Sequence, residues 1–420
     1  MVDHQKHHRV KRTLHLSLII SAGASMLVAV ILAVALMLAF RWIEDNRDRN
    51  QQDATSNVNT ILDTQEVFAL PDGTSNVPDN LDPATILNVV AKNQPAVVRV
   101  VTVYCADLAL RYEAYSYDID DACNGGVGSG SFISSDGYIA TNGHVVTISN
   151  TQALAGSLDS VEAVDRFIDF AVIAQLLSPR DGAAIVSGVR LGEESAYSAL
   201  EQLLGELPAG TVSASGQSTT YGIQLGNDPM RVTTKDGRLA VEYSETVIDA
   251  TLVDIDFDSE TAERGLTSGE FTSSDVALLK AEGAFPYVTL GDIDDVAVGE
   301  QLTAVGFPAL VDEGLDTDQW QTVPSITQGR IQDIVSDANT NGRDIVVSDV
   351  QIAQGSSGGP AFNDAGVQIG LNTYGEFACR SECFGDAYIR DAGDVLALVQ
   401  RNNITLKQDG ITPLWEQALA

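Results

Sequence analysis

The sequence predicts an all-β fold, a barrel or a sandwich, broken by one helical stretch and preceded by a membrane segment. Three observations carry this. Short β-branched runs recur between Gly and Asn turns from residue 96 to 372. Between about 150 and 215 the apolar spacing becomes helical. Near the amino terminus, 25 consecutive residues carry no charge and no proline.

That apolar run, Leu16 to Phe40, spans about 37 Å as a helix at 1.5 Å per residue. The hydrocarbon core of a bilayer is roughly 30 Å thick. Lys6, Arg9, Lys11 and Arg12 precede it; Glu44 and Asp45 follow soon after. The positive-inside rule then leaves residues 1–15 in the cytoplasm and exports the chain after Trp42. A cleaved signal peptide, cut after Ala33-Val34-Ala35, is the competing reading. Its apolar region is usually only about 7–15 residues long, so an uncleaved signal anchor is expected. Residues 43–83 are rich in Asp, Asn, Gln and Ser, and read as a flexible tether.

Asp82 is the expected N-cap of a short helix predicted over about Pro83 to Lys92. The run Ala96–Val103 then begins the strands. Further strands are expected at Gly130–Ile133, Tyr138–Thr141, Gly222–Leu225, Leu239–Tyr243, Val276–Lys280, Gln301–Val305, Arg330–Val335, Asp344–Val347 and Val367–Asn372. Many short strands at such spacing fit a barrel or sandwich. Val161, Val164, Ile168, Val172 and Leu176 predict a helix within 158–178, and 193–205 a second, so 150–215 is a helical insertion. Residues 391–402 predict a terminal helix, with 404–420 as a tail. One domain is expected over 84–403, with no internal repeat.

The charge is unusual. There are 58 acidic and 24 basic residues, a net −34. Residues 1–42 hold five basic residues (Lys6, Arg9, Lys11, Arg12, Arg41) against Asp3, so 43–420 carries −38. Such a surface repels phosphate backbones and anionic lipid, which argues against nucleic acid as a partner. Four cysteines, Cys105, Cys123, Cys379 and Cys383, follow the apolar run. They allow three connectivities, of which Cys105–Cys123 with Cys379–Cys383 is the sequence-local one; four free thiols are the alternative. A zinc site is not expected, because only one pair has ligand-like spacing and no histidine lies near it. No cofactor or metal is predicted.

Of five histidines, only His144 lies beyond the apolar run. It follows a predicted strand in Thr141-Asn142-Gly143-His144. Alone it reads more readily as structural than as catalytic. Gln354-Gly355-Ser356-Ser357-Gly358-Gly359-Pro360 has the small neighbours that let a carbonyl reach a serine nucleophile, and glycines that let backbone N–H groups converge on an oxyanion. Ser274-Asp275-Val276-Ala277-Leu278-Leu279 sets an aspartate at the head of an apolar strand, where burial suits it to orient an imidazole.

The order His144, Asp275, Ser357 resembles that of chymotrypsin-like serine peptidases. In detail the sequence is similar to the HtrA/Deg branch, from about Ala91 to Gln400 apart from the insertion. Gln94-Pro95-Ala96-Val97-Val98 resembles the first strand of that family. Gly128-Ser129-Gly130-Ser131-Phe132-Ile133 through Asn142 to His144 resembles its histidine motif, and Asp275–Leu279 its aspartate strand. Leu290-Gly291-Asp292, Val298-Gly299-Glu300, Gly306-Phe307-Pro308, the Ser357 motif and Gln368–Thr373 complete the likeness. The resemblance implies two six-stranded antiparallel β-barrels with a catalytic cleft between them. It implies His144 as general base, Asp275 as its orienting partner and Ser357 as nucleophile toward protein or peptide substrates. It also implies an oxyanion hole from the N–H groups of Gly355 and Ser357, and a primary pocket between Gln351, Ile352, Ala353 and Thr373, Tyr374, Gly375. Ile352 and the absence of an acidic residue at 351–354 point to an aliphatic preference. An inactive scaffold or surface binding module on the same barrels is the alternative.

Three departures from the family pattern stand out. His144 and Asp275 are separated by 130 residues because of the insertion, which is expected at the cleft rim as a lid, an exosite or a surface bundle. Only 18 residues follow the terminal helix, so the PDZ domain common in HtrA proteins is not expected. Ser356 stands where zymogen-activated relatives carry aspartate, so no activating cleavage is expected.

Overall fold

A computed structural model describes residues 83–225, 231–235, 238–242, 247–258, 273–308, 323–337, 342–375 and 386–419. Leu16–Phe40, Cys379 and Cys383 lie outside these residues. Among the described residues no helix is long and apolar enough to cross a membrane.

Helix α1 (Pro83–Asn93) and a 3₁₀ turn lead into β1 (Val97–Tyr112). From Val97 to Ala106 every residue of β1 is buried, which explains why this stretch reads as a continuous apolar run with one arginine. A turn at Glu113 and Ala114 reverses the chain into β2 (Tyr115–Phe132). Strands β3 (Tyr138–Thr141), β4 (Val212–Gln224), β7 (Val247–Asp256) and β8 (Val276–Ala281) complete the first sheet. It closes as a six-stranded antiparallel barrel in the order β1-β2-β3-β8-β7-β4. Between β4 and β7 the chain forms a separate hairpin, β5 (Arg231–Lys235) with β6 (Arg238–Glu242).

The second barrel is built from β9 (Gln301–Gly306), β10 (Ser325–Asp337), β11 (Arg343–Ser348), β12 (Pro360–Phe362), β13 (Gln368–Gly375) and β14 (Ala387–Asp391). It closes in the order β10-β11-β14-β13-β12-β9. Two closed barrels leave no long free sheet edge around either core. Val98, Phe132, Ile139, Leu278 and Leu279 fill the first barrel, and their cluster runs on through Phe362 and Leu371 of the second. The remaining second-barrel core is Leu302, Ile331, Val346, Ile369 and Ile389.

The first barrel departs from a plain barrel in one respect. β1 and β2 run past the barrel as a long arm, with β4 along one side. Cys105 and Cys123 lie directly opposite each other at the base of this arm and form a disulfide. The insertion folds against the arm as four helices: α3 (Asn150–Ser157), α4 (Val161–Ile173), α5 (Pro179–Leu191) and α6 (Glu194–Gly205), after a single turn, α2 (Gly143–Val146), that carries His144. Their ends are set by local chemistry. Ser149 and Gln152 make a capping box at α3, and the Ser160 and Ser178 side chains accept from Ala163 N and Asp181 N at α4 and α5. Gly192, at φ +70°, ends α5. Leu154, Phe167, Ile168 and Leu203 share one buried cluster with Tyr104, Leu108 and Leu110 of the arm. The insertion is therefore the partner that covers the arm's apolar face, and removing it would bare that face.

The carboxyl-terminal residues expected as a tail include a helix. After α7 (Ala392–Arg401), α8 (Ile411–Leu419) docks beside α1: Trp415 Nε1 donates to the Ala91 carbonyl at 2.8 Å, and Lys92 pairs with Glu416 at 2.9 Å.

Candidate active site

His144 sits on α2, directly after β3. Its position follows from its neighbours. Val145 and Val146 are buried, and Thr102 Oγ1 donates to the Val145 carbonyl at 2.7 Å. Gly143 has no room for a side chain: a Cβ there would lie 2.2 Å from Cβ of Phe257 and 3.3 Å from Oδ1 of Asp275. The turn is thus pressed against the aspartate, leaving the imidazole 38 % exposed at its outer edge.

Asp275 precedes β8 in an unusual conformation, with φ +55°. A non-glycine residue in this region is uncommon and costs energy unless its surroundings hold it. Here its N–H donates to the Asp256 carbonyl at 2.9 Å, and Asn142 Nδ2 donates to its own carbonyl at 2.8 Å. The side chain is then aimed at the histidine turn. Oδ1 accepts the His144 backbone N–H at 2.9 Å, and Oδ2 lies 2.8 Å from Nδ1. A carboxylate at Nδ1 requires the proton on that nitrogen and leaves Nε2 as the acceptor. Desolvation of the ring disfavours its charged form, but attraction to Asp275 and their hydrogen bond outweigh this and hold the His144 pKa above the ordinary 6.5.

Ser357 follows a tight turn. Ser356 N–H donates to the Ala353 carbonyl at 2.9 Å, and Gly355 has φ +91°, so Ala353–Ser356 is a type II turn with glycine at its third position. Gly358, at φ +83°, is packed so closely that a Cβ would meet Thr141 Oγ1 at 2.2 Å and the Ser129 carbonyl at 2.3 Å. Both glycines of the motif are thereby accounted for. The Ser357 hydroxyl donates to the Thr373 carbonyl at 2.9 Å. Among the described residues, the N–H groups of Gly355 and Ser357 have no acceptor, which leaves two adjacent donors available to an incoming oxygen.

The expected pocket residues take different situations. Ile352 is buried and belongs to the second-barrel core. Gln351 is exposed, with its carbonyl accepting from Thr327 Oγ1 at 2.6 Å. Ala353 begins the type II turn. Thr373 is buried and accepts both the Ser357 hydroxyl, on its carbonyl, and Asn142 Nδ2, on Oγ1 at 3.1 Å. Tyr374 is 43 % exposed and stacks on Tyr388 at 4.6 Å, while Gly375 pairs with Ala387 across β13 and β14. Sequence reasoning gave Asn142 no role of its own. It joins the backbone of Asp275 in the first barrel to Thr373 in the second, and its one visible signal was a polar residue next to a strand that is otherwise apolar. Among the described residues no group of His, Cys, Asp and Glu is arranged to hold a metal ion.

Two antiparallel barrels with a histidine–aspartate pair on one and a glycine-bounded serine on the other are the architecture of the chymotrypsin-like class. The family described as "Trypsin-like peptidase domain" matches residues 226–371, a stretch that includes Asp275 and Ser357. A probable periplasmic serine endoprotease, DegP-like, from Halomonas elongata is 40 % identical over 111 residues, 25 % of this chain and 20 % of that protein. Its namesake from Ectopseudomonas mendocina is 37 % identical over 101 residues, 24 % of this chain and 19 % of that one. The chain thus spans about a fifth of the length of these relatives. A solved HtrA-type protease bound to a tripeptide is 19 % identical, covering 74 % of this chain and 62 % of its own, with a TM-score of 0.37. Residues 226–371 are thus similar to a trypsin-like peptidase domain, and the chain is similar over about a quarter of its length to the DegP-like proteins.

Proposed function

We propose that the protein is a serine endopeptidase that hydrolyses peptide bonds in protein substrates outside the cytoplasm, held to the membrane by Leu16–Phe40. The observation that carries the enzymatic reading is the two-point grip of Asp275 on His144, at the backbone N–H and at Nδ1. A binding module has no use for this arrangement.

In the proposed reaction the Ser357 hydroxyl turns from Thr373 to His144 as substrate enters. Oγ attacks the scissile carbonyl carbon while its proton passes to Nε2. The carbonyl oxygen, now an anion, takes hydrogen bonds from Gly355 and Ser357 N–H. The C–N bond breaks, Nε2 returns the proton to the leaving amine, and the acyl group stays on Oγ. Water, deprotonated by the same nitrogen, releases the acid. Asp275 remains ionised throughout and holds the ring.

Labelling of the ectodomain (residues 43–420) with a fluorophosphonate tests the reading: covalent modification at Ser357 supports it, and failure of folded protein to react overturns it. The raised His144 pKa adds an expectation for pH. Only neutral imidazole is a base, so kcat/KM should rise with pH through an apparent pKa above 6.5. A limb at or below 6.5 would count against the Asp275 pairing. The sign for stability is opposite: the pair contributes fully below the unfolded value near 6.5, and its contribution is lost as pH rises through the raised folded value.

The membrane part rests on the apolar run and the charges flanking it, and export fits the relatives from Halomonas elongata and Ectopseudomonas mendocina, which are probable periplasmic endoproteases. Full-length protein should stay with membranes through alkaline carbonate washing; recovery in the wash would contradict an anchor.

A further inference from the structure

We infer that Ser129, on β2 of the first barrel, is the positioning residue that holds the Ser357 loop in its reactive shape. This rests on the peptidase reading above. The loop from Gly355 to Ser357 needs an anchor, because its turn presents two N–H groups to an external ligand instead of bonding them internally. Its own side chains supply little. The Ser356 hydroxyl makes one long contact, accepting from Ala353 N at 3.4 Å. Residues 353–359 include no ionisable side chain, so no ion pair can hold the loop.

Ser129 uses all its polar groups on this task. Its hydroxyl donates to the Gly355 carbonyl at 2.7 Å and accepts the Phe307 N–H at 2.8 Å. Its backbone N–H donates to the Ser357 carbonyl at 2.8 Å. Its own carbonyl accepts from Thr141 Oγ1 at 2.7 Å, three residues before His144. One residue therefore grips the loop at both ends and ties it to the strand that delivers the histidine. The residue is fully buried, so water does not compete for these bonds. The packing is built around it: a Cβ at Gly306 would meet the Ser129 hydroxyl at 3.1 Å, and one at Gly358 its carbonyl at 2.3 Å. A neutral hydroxyl strut between the barrels thus does the work of an activation step, and the loop is ordered as soon as the barrels close.

Ser129→Ala removes the hydroxyl and keeps the backbone grip on Ser357. It leaves the Gly355 carbonyl and Phe307 N–H without their partner. The expected result is a fall of about 10²-fold in kcat, the size of losing one oxyanion donor, with KM changed far less. A peptide boronate, which forms a tetrahedral anion on Ser357, should lose affinity by a similar factor, while the matching product peptide binds as to wild type. Ser129→Cys, which keeps a weak donor, should recover part of the loss. Equal losses for boronate and product peptide would show a merely structural role and overturn the inference, as would unchanged kcat. Fluorophosphonate labelling of wild type separates this from failure of the peptidase reading: an unreactive wild type refutes that reading, whereas a reactive wild type with equally reactive Ser129→Ala refutes only the strut.

Discussion

Ser357→Ala is expected to abolish fluorophosphonate labelling and to lower peptidase kcat by about 10⁴–10⁶-fold, with the folded structure intact. The magnitude follows from what nucleophile removal costs where serine, histidine and aspartate act as one unit. The structural cost should be small. Ser357 Oγ makes a single hydrogen bond, to the Thr373 carbonyl, and the loop is held through its backbone. His144→Ala should cost as much, and the double variant no more than either alone, because each removes the same step. Additive losses would mean that the two residues do not share a proton and would break the proposed mechanism. Turnover of a peptide substrate, measured beside thermal unfolding of each variant, decides between these outcomes.

Asp275→Asn should lower kcat by about 10⁴-fold at neutral pH. The substitution keeps the shape and suits the left-handed backbone at φ +55°, which asparagine tolerates better than most residues. Oδ1 can still accept the His144 backbone N–H. An amide whose oxygen is used there turns its NH₂ toward Nδ1, which then must accept, so Nε2 carries the proton and cannot act as a base. Loss of the carboxylate also removes the attraction that raises the His144 pKa, so the acidic limb of the pH profile should move down. Both readouts are needed. A loss of rate without movement of the limb would point to a misplaced backbone instead of a lost charge.

Much of the candidate site was legible before any coordinates. His144 was the one histidine beyond the apolar run. Ser357 stood among glycines, and the apolar run after Asp275 set it apart from its many acidic neighbours. These signals are local, since each depends on residue type within a few positions. The helix ends of the insertion were less well read. Leu176 kept the helical period beyond Ile173, where α4 stops, and the Ser178-Pro179 start of α5 went unused although serine followed by proline is a strong N-terminal signal. Similarly, the long arm after Val103 was missed because its strands alternate polar, aromatic and acidic residues, a pattern that reads as loop until helices are seen to cover one face.

What the sequence determined by itself was the inventory: an apolar run long enough for a bilayer, an acidic remainder, strand-forming segments in order, and three chemically suited residues with the glycines they need. Only the tertiary structure decided how these meet. Barrel closure sets Asn142 between Asp275 and Thr373, seats Ser129 against the Gly355–Ser357 loop, 226 residues from Gly355, and holds Asp275 in a backbone conformation it would not adopt alone. The reason is physical. A catalytic geometry is a set of distances of about 3 Å between segments far apart in the chain. No local propensity specifies such distances; they are fixed when close packing leaves each buried polar group with its one available partner.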